Sequence, residues 1–100
     1  MKNEKKQEQS RQIKGKVIDT KGMPLPGVTI LIKGTKLGVI TDIDGKFKIE
    51  IPKLDSTILV FSFIGMETVY HQLSNDRKND EKELVITMKD DVKEMDEVVV

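Results

Sequence analysis

A chain of 100 residues is the size of one domain with one core. Its 17 basic residues balance 17 acidic ones, so no net field steers it toward nucleic acid or anionic lipid. With no cysteine at all, disulfides, thiol catalysis and thiolate metal sites are excluded together.

The aromatic residues are Phe47, Phe61, Phe63 and Tyr70, and no basic run is interleaved with them. A stacking platform for single-stranded nucleic acid is therefore not expected. No stretch reaches the ~20 apolar residues of a membrane helix. The residues from Met1 to Gln12 are rich in Lys, Glu and Gln and have no apolar centre, unlike an export signal.

Taken in order, residues 1–11 hold too little apolar surface to offset their ordering entropy, and disorder is expected there. Ile13 to Asp19 reads as a first strand, and Gly15 inside it predicts a bulge or a close backbone approach. The stretch from Gly22 to Gly45 organises the rest. Pro24 and Pro26 fix φ and remove two donors, so the chain reaches Gly27 extended. Val28 to Ile32 is a five-residue aliphatic and β-branched run, too short for a helix. Gly34 and Gly38 punctuate the next turn. Asp42, Asp44 and Gly45 supply Asx side chains and a residue free to take positive φ before the strand from Phe47 to Ile51.

After a loop at Pro52 to Ser56, Thr57 to Ile64 is the most apolar run, predicted to be central in its sheet and covered on both faces. Gly65 and Met66 break it. Glu67 to Leu73 reads as a weaker, half-exposed strand. A polar loop from Ser74 to Lys82 leads to the last strand, Glu83 to Met88, with Leu84, Ile86 and Met88 on one face. Seven short strands about ten residues apart predict an all-β fold, a seven-stranded antiparallel β-sandwich of immunoglobulin or transthyretin type. The expected division is a disordered segment over 1–11, the sandwich over 12–89, and an acidic linker and tail over 90–100.

Enzyme signatures are not met. His71 is the only histidine, so a multi-histidine zinc site is impossible. Ser62 lies within a strand rather than on a strand-to-helix elbow, and Gly34 to Gly38 lacks the lysine and helix of a phosphate loop. Asp42-x-Asp44-Gly45 departs from a calcium loop, because Phe47 and Lys53 occupy the sixth and twelfth positions. A chain of short strands offers little cleft for a carboxylate pair of glycosidase type. No catalytic residue, cofactor or metal is expected.

The motif set as a whole resembles a known family. Gly15-Lys-Val-Ile-Asp19, Gly22-Met-Pro-Leu-Pro-Gly-Val-Thr-Ile, Lys33-Gly34-Thr35-x-x-Gly38, Thr41-Asp42-x-Asp44-Gly45-x-Phe47 and Leu59-x-Phe61-Ser62-Phe63-Ile64-Gly65 look like the carboxypeptidase regulatory-like domain. In particular they resemble the N-terminal extension of SusC-like TonB-dependent outer-membrane transporters. Phe63 and Met66 stand where tyrosines are common in that family. The resemblance implies a non-catalytic accessory domain on the periplasmic side of the outer membrane, monomeric when isolated, that helps couple TonB to the plug and barrel. The missing export signal and the end of the chain at Val100 are expected of an excised domain. Met95, Asp96, Glu97, Val98, Val99 and Val100 resemble the segment leading into the plug, and their β-propensity suits addition to a sheet edge of the TonB C-terminal domain. The alternative expectation is a carbohydrate- or peptide-binding sandwich, with Tyr70 and Phe63 as its aromatic contacts. An adhesin-like module locked by a Lys–Asn isopeptide bond is a third.

Overall fold

The computed structural model describes residues 11–52, 56–74 and 82–91. The expectation for the Met95 to Val100 tail lies outside those residues, as do the first ten positions. Within them the chain forms seven strands: β1 (Arg11–Asp19), β2 (Thr29–Ile32), β3 (Gly38–Ile40), β4 (Lys46–Ile51), β5 (Thr57–Ser62), β6 (Val69–Leu73) and β7 (Leu84–Met88). They make a three-stranded sheet ordered β4-β1-β7 and a four-stranded sheet ordered β3-β2-β5-β6. The expected β-sandwich is thus present, with one pairing that differs. β1 and β7 run parallel, Gly15 beside Leu84 through Asp19 beside Met88. The cause is topological, since β6 and β7 belong to different sheets and no hairpin joins β7 to its partner.

Alternation of side chains places one apolar face of each sheet inward. Ile13, Val17, Phe47, Ile49, Ile51, Ile86 and Met88 pack against Val28, Ile30, Ile32, Leu59, Phe61 and Leu73. The Phe47 and Phe61 rings meet edge to face, centroids 5.6 Å apart, and tie the two sheets together. β5 is central in its sheet, between β2 and β6, as its apolar run predicts. Its outward residues Ile58, Val60 and Ser62 are only half-buried, however. One face meets the other sheet, and the second is sheltered by cross-strand neighbours alone.

Gly15 is a close approach rather than a bulge. The register with β4 runs unbroken through it and the pairing with β7 begins at it, and a Cβ there would strike the Phe47 ring and lie 2.6 Å from the Leu84 carbonyl. The domain edges also differ from expectation. Arg11, assigned to the leading segment, opens β1. Asp90 and Asp91, assigned to the tail, belong to the folded body: Asp90 bridges to Met66, and the Asp91 N–H donates to the Gly65 carbonyl at 2.9 Å.

Candidate functional site

The turns singled out in the sequence gather into one knitted end of the sandwich. Asp19 closes the first turn, its Oδ1 accepting the Lys21 and Met23 amides at 2.8 and 2.9 Å. Gly22 sits in that turn at φ 86°. Pro24 bridges to Ile18, and the Leu25 N–H donates to the Val17 carbonyl, so the proline segment lies along the end of β1. Pro26 and Gly27 then turn the chain into β2, Gly27 at φ 82°. The Asp42 carboxylate caps the turn that carries the chain from β3 in one sheet to β4 in the other, accepting the Asp44 and Lys46 amides, both at 2.9 Å. The Asp44 side chain is exposed, and its backbone, not its carboxylate, makes that contact.

Two residues lock these loops to each other. Gly45 takes φ 75°, and its carbonyl accepts the Val17 N–H at 2.8 Å. A Cβ at Gly45 would lie 2.8 Å from the Val17 oxygen and 3.0 Å from the Leu25 nitrogen, so glycine is required both for its conformation and for its lack of bulk. Thr41 is buried, its hydroxyl donating to the Leu25 carbonyl at 2.7 Å and accepting the Val28 N–H at 2.9 Å. Sequence reasoning missed this clamp. Its only signal was a threonine immediately before Asp42-x-Asp44-Gly45.

The remaining turn residues lie elsewhere. Gly34 shapes the β2–β3 turn at φ 85°, where Thr35 bonds the Ile32 carbonyl and the Leu37 amide through its hydroxyl. Gly38, expected in that turn, opens β3 beside Leu31, whose side chain occupies the space a Cβ would need. Gly65 turns at φ 81° at the corner where residues 89–91 run alongside 65–67.

These contacts are structural; they hold backbone to backbone. Among the described residues no group of three or more His, Cys, Asp or Glu side chains is placed to hold a metal ion. His71 is half-buried on β6, paired across to Leu59. What the arrangement does offer is surface. On the outer face of the four-stranded sheet, Leu31, Val60 and Tyr70 form one cross-strand row, and the Lys33 ammonium stands 5.8 Å from the Tyr70 ring centroid. β3, β4, β6 and β7 are the sheet edges, and such edges can accept an added strand.

A two-sheet sandwich whose distinctive residues are spent on turns defines a fold rather than a chemistry. More particularly, the chain belongs to the CarboxypepD_reg-like domain family, whose pattern it matches over residues 13–100. It is 34% identical over 89 residues to the TonB-dependent receptor P39 of Formosa agariphila, covering 89% of this chain and 8% of the receptor. It is 38% identical over 88 residues to the TonB-dependent receptor SusC of Bacteroides thetaiotaomicron, covering 88% of this chain and 8% of that one. The chain therefore spans only a small fraction of the length of these curated relatives. Among solved structures it resembles 3-chlorocatechol 1,2-dioxygenase from Rhodococcus opacus 1CP, with TM-score 0.61 and 15% identity over 83% of this chain and 61% of the other. It also resembles a chain of a type II cohesin–X-dockerin complex from Acetivibrio cellulolyticus, with TM-score 0.57, 21% identity, and coverage of 78% and 56%. At those identities the likeness is one of fold alone.

Proposed function

We propose that this chain is a non-catalytic accessory domain of a TonB-dependent outer-membrane transporter. It is held on the periplasmic side and helps couple TonB to the plug and barrel. The observation that carries the reading is the match of nearly the whole chain, at 34% and 38% identity, to receptors of that kind of which it makes up 8%. A module that small within a transporter acts on what the remainder does. Its turn residues serve the fold, which leaves partner contact rather than catalysis as its contribution. The Met95 to Val100 segment is the part proposed to meet TonB, by adding a strand to a sheet edge. Asp91, ahead of that segment in the chain, is anchored at the Gly65 corner.

The test uses the SusC receptor of Bacteroides thetaiotaomicron. Deleting the segment matched by this chain should lower uptake of that receptor's own substrate while the receptor still reaches the membrane. Replacing it with the present sequence should restore uptake. Unchanged uptake on deletion, with receptor levels equal, would contradict a coupling role.

A further inference from the structure

The outer face of the three-stranded sheet concentrates positive charge that the neutral composition conceals. In the β1–β4 register Lys14 stands directly opposite Lys48, and Lys16 directly opposite Lys46. The alternating residues Ile13, Val17, Phe47 and Ile49 point into the core, so all four lysines share the outward face. Two acids border the array: Glu50 follows Lys48 by two residues on the same face of β4, opposite Gln12, and Glu83 immediately precedes Leu84, the partner of Gly15. Further along β7 Lys16 neighbours Val85 and Ile18 neighbours Thr87, so four lysines stand against those two carboxylates. Like charges directly opposite on a sheet weaken it, and here the arrangement occurs twice in succession. An anionic neighbour would turn that cost into attraction.

We infer that this face is a docking surface for the anionic headgroup layer of a phospholipid bilayer. Four features select that occupant. The face is the broad side of three strands, so a peptide adding by its main chain has no edge to join there. The cations are all lysine, whose compact ammonium suits a diffuse anionic surface, whereas defined carboxylates or phosphates favour the arginine fork. No exposed aromatic accompanies them to stack a sugar or a base. Projecting aliphatic side chains do accompany them. An open groove of about 570 Å³ is lined by Lys14, Lys46 and Lys48 together with Ile40, 65% exposed. Asp42 and Glu83 line it too, but Asp42 already accepts two turn amides. Ile43 in the β3–β4 turn is 82% exposed, and Val85 on β7 is 53% exposed. Lysines bordered by exposed aliphatics are the composition of a surface that settles into the headgroup region. From the transporter reading this inference takes only the nearness of a bilayer, which would hold the domain against the surface by tethering.

The experiment is cosedimentation of the whole chain with vesicles, titrating lipid at low salt. The probes are phosphatidylglycerol mixed with phosphatidylcholine, and phosphatidylcholine alone. Binding is expected to the mixed vesicles only, and to vanish near 1 M salt, where the screening length is ~3 Å. Each lysine facing an anionic bilayer raises partitioning about five-fold, so Lys14→Gln with Lys48→Gln should lower it about 25-fold. Lys21→Gln with Lys33→Gln removes the same net charge away from the array, Lys21 in the first turn and Lys33 beside Tyr70 on the outer face of the other sheet, and should change it by less than about two-fold, because charges off the docked face are screened. No binding to the mixed vesicles, or an equal loss in both double variants, would overturn the inference. Binding to polyglutamate without binding to vesicles would overturn it also and assign the face to an acidic polypeptide. None of these results bears on uptake by the receptor, so this inference and the transporter reading fail separately.

Discussion

Replacing Gly45 by alanine tests whether the knitted end of the sandwich is what holds the fold. The left-handed backbone at φ 75° costs an L-residue about 1–2 kcal/mol. The new methyl would also lie 2.8 Å from the Val17 oxygen, 3.0 Å from the Leu25 nitrogen and 3.0 Å from the Pro24 Cβ. Two of these are backbone atoms of adjoining segments that cannot rotate away, and overpacking of this kind costs about 1–3 kcal/mol. The stiffer unfolded chain returns about 0.4–1 kcal/mol. The net loss should be about 2–4 kcal/mol, a large share of the roughly 5–15 kcal/mol expected for a domain this size. Gly22→Ala is the control, because φ is 86° there but nothing lies within 4 Å of the added Cβ. It should lose about 1 kcal/mol or less by the same backbone and unfolded-state terms. Urea unfolding followed by far-ultraviolet circular dichroism measures both, and the slopes should match that of the parent chain. Equal losses in the two variants would refute the argument that contact, beyond conformation, makes Gly45 necessary.

Three further outcomes follow from the same geometry. Thr41→Val keeps the shape but strands the Val28 N–H and the Leu25 carbonyl in a buried site, so it should cost about 2–4 kcal/mol in the same assay. Phe61→Ala removes a fully buried ring that meets Phe47 edge to face, and should cost about 3–5 kcal/mol. Lys48→Gln relieves the repulsion with Lys14 and should raise stability by a few tenths of a kcal/mol at low salt, a gain that disappears at high salt. Thermal unfolding at two ionic strengths reads that last effect. A gain that persists in high salt would show that charge repulsion is not its source.

What the sequence made legible follows from how local each signal is. Gly22, Gly27, Gly34, Gly45 and Gly65 all adopt positive φ, because glycine at a turn reports a demand made by its own backbone. Strand positions were legible for the same reason, since a run such as Val28 to Ile32 carries its own propensity. The features that escaped are relations between distant segments. Nothing near Leu84 says that β7 will lie parallel to β1. Nothing near Thr41 says that its hydroxyl will meet Leu25 and Val28. Gly38 looked like a turn glycine, yet it is needed where Leu31 crosses β3. The lysine array is the clearest case. Balanced totals hid it, and only the pairing of Lys14 with Lys48 and of Lys16 with Lys46 brings the charges together.

The central claim is that this domain takes part in coupling TonB to a transporter. Its most direct test is a residue-resolved NMR titration of the whole chain with the periplasmic C-terminal domain of its cognate TonB. The account predicts saturable shifts at Met95 to Val100, with the core around Phe47 and Phe61 unmoved. No shift anywhere in the chain, at concentrations where that TonB domain binds a known receptor segment, would contradict it.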